Sequence, residues 1–185
     1  MTDWLNYKRK HKLEIKNYVY KIVDNERLLI LLKDKFRSVN MTDDNFSINF
    51  DQIYCNIPKE LIRKCISLLK RDRDLDFDYI KCITGVDYTD YLEVIYSLYS
   101  FENNYTVNIK AKIAATNPEI DSITGIFMSA DWFEREIWEF FGINFRGHQN
   151  LKTLFLPGDV SYHPLLKSFE IKWEERPYVR PTVFE

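Results

Sequence analysis

From Tyr105 to Ile113 the chain alternates without a break: Tyr105, Val107, Ile109, Ala111 and Ile113 are apolar, and Thr106, Asn108, Lys110 and Lys112 between them are polar. A period of two puts successive side chains on opposite sides of a strand, so one face is buried and the other is wet. The preceding run, Leu92 to Phe101, is apolar on both faces (Leu92, Val94, Tyr96 and Leu98 against Ile95, Tyr99 and Phe101). That is the pattern of an interior strand covered on both sides. Asn103-Asn104 separates the two runs, and because Asn tolerates positive φ, a tight hairpin is the natural joint. The chain is committed to a sheet, and its other segments have to cover it.

The flanking segments alternate between helix and strand signals. From Tyr18 to Phe36, Val19, Ile22, Val23, Leu28, Leu29 and Leu32 recur at intervals near three and four, predicting a helix. Phe46, Ile48 and Phe50 alternate with Ser47 and Asn49, predicting a strand. Pro58 suits the first turn of a helix whose stripe is Leu61, Ile62, Cys65, Leu68 and Leu69. Tyr79 to Thr84, before Gly85, and Ser122 to Phe127 read as short strands. Asp131 to Phe141 reads as a helix. Asp131 and Glu134, three residues apart, form a pair of the capping-box type, and Gly142 suits the left-handed position that ends the helix. Phe133, Ile137 and Phe141 fall on one stripe with Phe140 beside it, while Arg135 and Glu139 stand at i and i+4, close enough to pair. Beyond Gly142 the periodicity fades into an ordered connector, and Pro177 and Pro181 leave the end extended. The segments expected are a helical 1–40, an α/β domain over 41–171 and a tail over 172–185.

Composition narrows the function classes. The 185 residues carry a net charge of −2, so no bulk field draws nucleic acid or an anionic membrane. The basic cluster Lys8, Arg9, Lys10, His11 and Lys12 reads as a solvated helix end. Three cysteines, Cys55, Cys65 and Cys82, form no CxxC pair, so a cluster or zinc site held by this chain alone is not expected. The longest apolar stretch, Leu28 to Leu32, is far short of the ~18 residues of a membrane span. No hydrophobic signal segment is evident, and Asp3 and Glu14 suit a cleavable transit peptide poorly. Abundant Phe, Tyr, Ile, Asn and Lys beside scarce Ala, Gly and Pro are what an AT-rich genome encodes, as organellar genomes often are.

The residue types that could carry chemistry point to a scaffold. Glu136 and Glu139 share a helical face, so paired acid/base work is sterically possible. No nucleophile stands at motif distance, however, and Arg135 can neutralise them. His148 and His163, with Asp159 between them, suit capping or interface hydrogen bonds better than a metal. GxGxxG, P-loop and GxSxG motifs are missing from the sequence. No catalytic, cofactor-binding or metal-binding residue is expected on this chain.

The run DWFEREIWEFFGINFRGHQNL resembles the signature of the 30 kDa subunit family of complex I, NADH–ubiquinone oxidoreductase. The residues that carry the likeness are Phe133, Glu134, Arg135, Glu136, Glu139, Phe141, Gly142, Ile143, Phe145, His148 and Leu151. Upstream, ITGVDY at 83–88 and YLEVIYSL at 91–98 are similar to the family's Gly-Val-Asp-Tyr turn and the strand after it. Downstream, HPLLKSF at 163–169 is similar to His-Pro-Leu-Arg-Lys-Asp-Phe, with Leu166 and Ser168 standing where that pattern has Arg and Asp. A salt bridge made by those two charges has no counterpart here.

The resemblance implies an α/β (α+β) fold, a mixed β-sheet packed with helices, followed here by the extended C-terminal tail. It implies a non-catalytic core subunit of the peripheral, matrix-side arm of respiratory complex I. The chain would sit in the quinone module beside the hydrogenase-like large subunit. FMN, iron–sulfur clusters and quinone would be bound by partner subunits, and neither nucleic acid nor a membrane span would be involved. The implied location is the matrix side of the mitochondrial inner membrane, or the cytoplasmic side of a bacterial inner membrane. A chloroplast homologue, a membrane-bound hydrogenase component and a stand-alone binding module are the rival readings. Glu134, Arg135, Glu136, Glu139, Phe141, Gly142, His148 and His163 are the expected interface or structural residues, with Trp173 and Tyr178 as anchors of a docking tail.

Overall fold

A computed structural model describes residues 25–158 and 161–170. Among the described residues seven strands are formed: β1 (Phe46–Asn49), β2 (Gln52–Asn56), β3 (Tyr79–Asp87), β4 (Tyr91–Ser100), β5 (Tyr105–Ala114), β6 (Glu119–Asp121) and β7 (Asn144–Arg146). Three α-helices accompany them among the same residues, α1 (Asn25–Phe36), α2 (Ile62–Arg71) and α3 (Ala130–Phe141). The main sheet has five strands in the order β1-β2-β5-β4-β3, and β6 and β7 make a separate pair. Within the main sheet β2 runs parallel to β5 and the other neighbours are antiparallel, so the sheet is mixed, as the resemblance implied.

The β4–β5 hairpin forms where the alternation placed it. Tyr96 lies opposite Ile109 and Leu98 opposite Val107, and Asn104 takes the left-handed conformation at φ 56°. Cross-strand partners share a face, so Ile53, Ile83, Val94, Tyr96, Leu98, Val107, Ile109 and Ala111 form one continuous buried layer. Leu28, Leu32 and Phe36 of α1, Ile62, Cys65, Ile66 and Leu69 of α2, and Ala130 and Ile137 of α3 join that layer in a single cluster. On the other face cations lie over tyrosines: Lys110 over Tyr54 at 5.2 Å, Lys112 over Tyr91 at 4.7 Å and Lys81 over Tyr99 at 5.7 Å. Glu93 is buried there, with its Oε2 3.3 Å from Lys110 Nζ.

Several local expectations need correcting. The strand expected over Ser122 to Phe127 is a turn, because pairing with β7 ends at Asp121, and Ile126 and Phe127 donate their N–H groups back to the Ile123 carbonyl. β2 follows β1 as an unforeseen hairpin partner, though Ile53, Cys55 and Ile57 do alternate. β3 runs on through Gly85 to Asp87, where its pairing with β4 ends at Leu92, and at Gly85 the Phe141 ring closes onto the sheet. A β-carbon at Gly85 would lie 2.7 Å from Phe141 Cδ2. Asp131 does not cap α3: Ser129 holds the cap position and Glu134 turns into the core. The helix residues expected over 18–24, Asp159, and the tail with Trp173 and Tyr178 lie outside the described residues.

Candidate functional site

The motif residues gather around α3, which is gripped from both sides. Toward the sheet, Phe133, Ile137 and Phe141 face the core as their spacing required. Glu134 is fully buried beside them, its Oε1 accepting the Ile123 N–H at 2.8 Å. Its Oε2 finds no hydrogen-bond partner among the described residues, and neither does Tyr96 Oη. Burial pushes the Glu134 carboxyl up to about 7, and the nearby Asp131 charge adds to this. The Ile123 N–H and the Ser122 hydroxyl oppose the shift. The Tyr96 phenol is raised well above its ordinary value by burial and by the Glu134 charge.

On the outer side of α3 the loop 150–156 lies along the helix, held by two charged side chains. Arg135 donates Nε to the Lys152 carbonyl at 3.0 Å and Nη2 to the Thr153 carbonyl at 3.2 Å. Glu139 accepts three consecutive backbone N–H groups, from Leu154 at 2.9 Å, Phe155 at 3.1 Å and Leu156 at 2.6 Å. Burial alone would raise the Glu139 carboxyl. These three donors and the Arg135 charge outweigh burial and hold it below the usual carboxylate range. The expected pairing of Arg135 with Glu139 is replaced: the ion pair that Arg135 makes among the described residues is with Asp131, at 3.8 Å. Backbone groups of the loop compete successfully because they have no other partner as the chain passes over the helix. Glu136 is exposed, and with both Glu139 oxygens engaged the two carboxylates form no acid/base pair.

Both histidines act as braces. His148, whose side chain is fully buried, accepts the Asn150 N–H at Nδ1. That places the ring proton on Nε2, which donates to the Asp131 carbonyl at 3.3 Å. His163 donates Nδ1–H to the Glu139 carbonyl at 2.9 Å, since a carbonyl can only accept. Gly142 ends α3 at φ 71°, its N–H returning to the Trp138 carbonyl, and the His163 ring packs directly on it. Next to this contact, Asp87 at the end of β3 accepts the Lys167 N–H at 2.8 Å and the Thr89 N–H at 2.6 Å. Those two donors hold the Asp87 carboxyl below its ordinary value. A cleft of about 300 Å³ lies between the Asp87 turn, Phe141–Gly142 and the 163–168 segment. Leu166, at one of the positions that depart from the family pattern, packs its side chain against the core instead.

Sequence reasoning missed three elements of this site: the Asp87–Lys167 tie, the loop 152–156 and the exposure of the aromatics beside it. The loop carries no periodic signal, and Lys167 is 80 residues away from Asp87. Cys55 and Cys65 are buried and free, and burial raises both thiols, Cys65 to about 11. Among the described residues, no three His, Cys, Asp or Glu side chains gather closely enough to hold a metal. No helix there is long and apolar enough to cross a membrane.

The mixed sheet with helices packed on it is a fold also found in solved structures. The trypsin-resistant fragment of Nqo5 superposes with a TM-score of 0.57 over 68% of this chain and 99% of that one, at 23% identity. A chain of the archaeal membrane-bound sulfane sulfur reductase, a respiratory membrane complex, superposes at 0.65 over 80% of this chain and 97% of its own length, at 18% identity. In sequence, the profile of the respiratory-chain NADH dehydrogenase 30 Kd subunit matches residues 55–175, and the chain belongs to that family. An NADH-quinone oxidoreductase subunit from Citrifermentans bemidjiense is 30% identical over 85% of this chain and 97% of its own length. An F(420)H(2) dehydrogenase subunit from Methanosarcina mazei is 34% identical over 64% of this chain and 76% of its own length.

Proposed function

We propose that the chain is a core subunit of the peripheral arm of a proton-pumping NADH–quinone oxidoreductase and takes no part in the redox chemistry itself. The observation that carries this reading is the use made of the charged residues of α3. Arg135 and Glu139 are engaged with loop backbone and Glu134 with the Ile123 amide, so none of the three is presented to a substrate. FMN, iron–sulfur clusters and quinone are then held by partner subunits, and the chief partner of this chain is the hydrogenase-like large subunit of the quinone module. The AT-rich composition favours an organelle-encoded protein on the matrix side of the mitochondrial inner membrane. The bacterial relative favours the cytoplasmic side of a bacterial membrane as the second reading.

Replacing Cys55, Cys65 and Cys82 together by Ser in the assembled complex tests the redox part of this reading. Every iron–sulfur electron paramagnetic resonance signal should survive; loss of one signal with assembly intact makes this chain a cluster ligand. The F(420)H(2) dehydrogenase relative raises a specific question about the electron donor. Comparing NADH with reduced deazaflavin as donor to the purified complex answers it, and turnover with NADH is expected.

A further inference from the structure

Two large aromatic side chains beside the brace stand in solvent. Trp132 is 65% exposed and Phe155 is 71% exposed, yet both are held in place. The Arg135 guanidinium lies over the Trp132 ring, 5.1 Å from its centroid, and is itself fixed by the Lys152 and Thr153 carbonyls. Phe155 is anchored through its N–H to both Glu139 oxygens, and its ring stacks on Phe140 at 5.8 Å with an interplanar angle of 14°. Met128, 88% exposed, stands one turn before Trp132. Rings ordered in advance lose little further entropy on docking, and aromatic anchors of this kind dominate interface energies.

Charge narrows the occupant. Glu136, one helical turn after Trp132, is exposed and makes no ion pair or hydrogen bond among the described residues. The nearest cation on the helix, Arg135, is committed to the loop and its side chain is only 12% exposed. A second copy of this chain brought symmetrically against the same surface would set Glu136 against Glu136, and like charges in an interface repel. A membrane surface would bury the same carboxylate uncompensated.

We propose that the outer flank of α3, carried by Trp132, Glu136 and Phe155, docks another subunit of the respiratory assembly, one that offers an apolar recess flanked by an arginine or lysine. This rests on the subunit reading above and adds the surface and its chemistry to it. The test places the photo-reactive residue p-benzoylphenylalanine at Trp132 of the full-length chain in its native complex, with Ile30 on α1, 68% exposed, as the control site. Irradiation should join position 132 to one other subunit. Glu136→Lys should lower the yield of complex about tenfold, as a repulsive contact does, and Glu136→Gln should lower it less. A cross-link to a second copy, no cross-link in an assembled complex, or wild-type assembly of Glu136→Lys overturns the proposal while leaving the subunit reading intact. A chain that co-purifies with no complex at all overturns both.

Discussion

Gly142 and His163 are packed so closely that a β-carbon on the glycine would lie 2.7 Å from the imidazole Cδ2 and 2.8 Å from Nε2. The glycine also stands at φ 71°, where an L side chain is strained. Gly142→Ala therefore meets two penalties, conformational strain and displacement of a ring fixed by its bond to the Glu139 carbonyl. Together they should cost roughly 2–4 kcal/mol. Gly147, at φ 82° with open space around it, separates the two terms, and Gly147→Ala should lose only about 1 kcal/mol. Denaturant midpoints of the two variants check the difference, and equal losses would show that the His163 contact contributes nothing.

Glu139→Gln should loosen the loop without unfolding the domain. The carboxylate accepts from Leu154, Phe155 and Leu156 at once, and a neutral amide offers one acceptor oxygen in place of two charged ones. The expected loss is about 2 kcal/mol. Amide hydrogen exchange should rise at residues 154–156 while β4 and β5 keep their protection. Because the folded-state carboxyl lies below its ordinary value, its contribution is present above the unfolded carboxylate range and is lost as pH falls through the lowered value.

Glu134 carries the opposite dependence. Burial first, and Asp131 second, lift its carboxyl from 4.5 to about 7, so between those values the folded chain holds a proton that the unfolded chain has released. Stability is fully present below about 4.5 and is lost as pH rises to about 7, a difference on the order of 3 kcal/mol. Glu134→Gln keeps an oxygen for the Ile123 N–H and removes the titration. The variant's urea midpoint should not fall between about pH 5 and 7 as the wild type's does, and at pH 8 it should lie about 1–3 kcal/mol above wild type. A flat wild-type profile would show that Glu134 stays ionised in the folded chain.

Arg135→Glu sets a carboxylate against two loop carbonyls and Asp131. With the arginine side chain only 12% exposed, the uncompensated charge should cost about 3–5 kcal/mol. The yield of assembled complex should drop, and the complex that does form should keep near-normal NADH–quinone turnover per flavin. Full assembly with turnover slowed a hundredfold or more would put Arg135 in the chemistry.

Where the local pattern has one dominant period, sequence and structure coincide. The alternation of Tyr105–Ile113, the double-sided apolar run before it and the left-handed Asn104 specify a hairpin, because side-chain direction in a strand depends only on parity. The Phe133–Ile137–Phe141 stripe and Gly142 likewise specify one helix and its end. What charged residues within a helix do is not set by spacing. Arg135 and Glu139 are one turn apart and could have paired, and Asp131 and Glu134 could have formed a cap. Tertiary structure decided otherwise, because a loop whose amides and carbonyls need partners passes over one side of α3, and Ile123 brings an unpaired N–H to the other. Buried backbone groups outcompete a solvated ion pair worth less than about 1 kcal/mol. Only the fold could bring those groups to that helix.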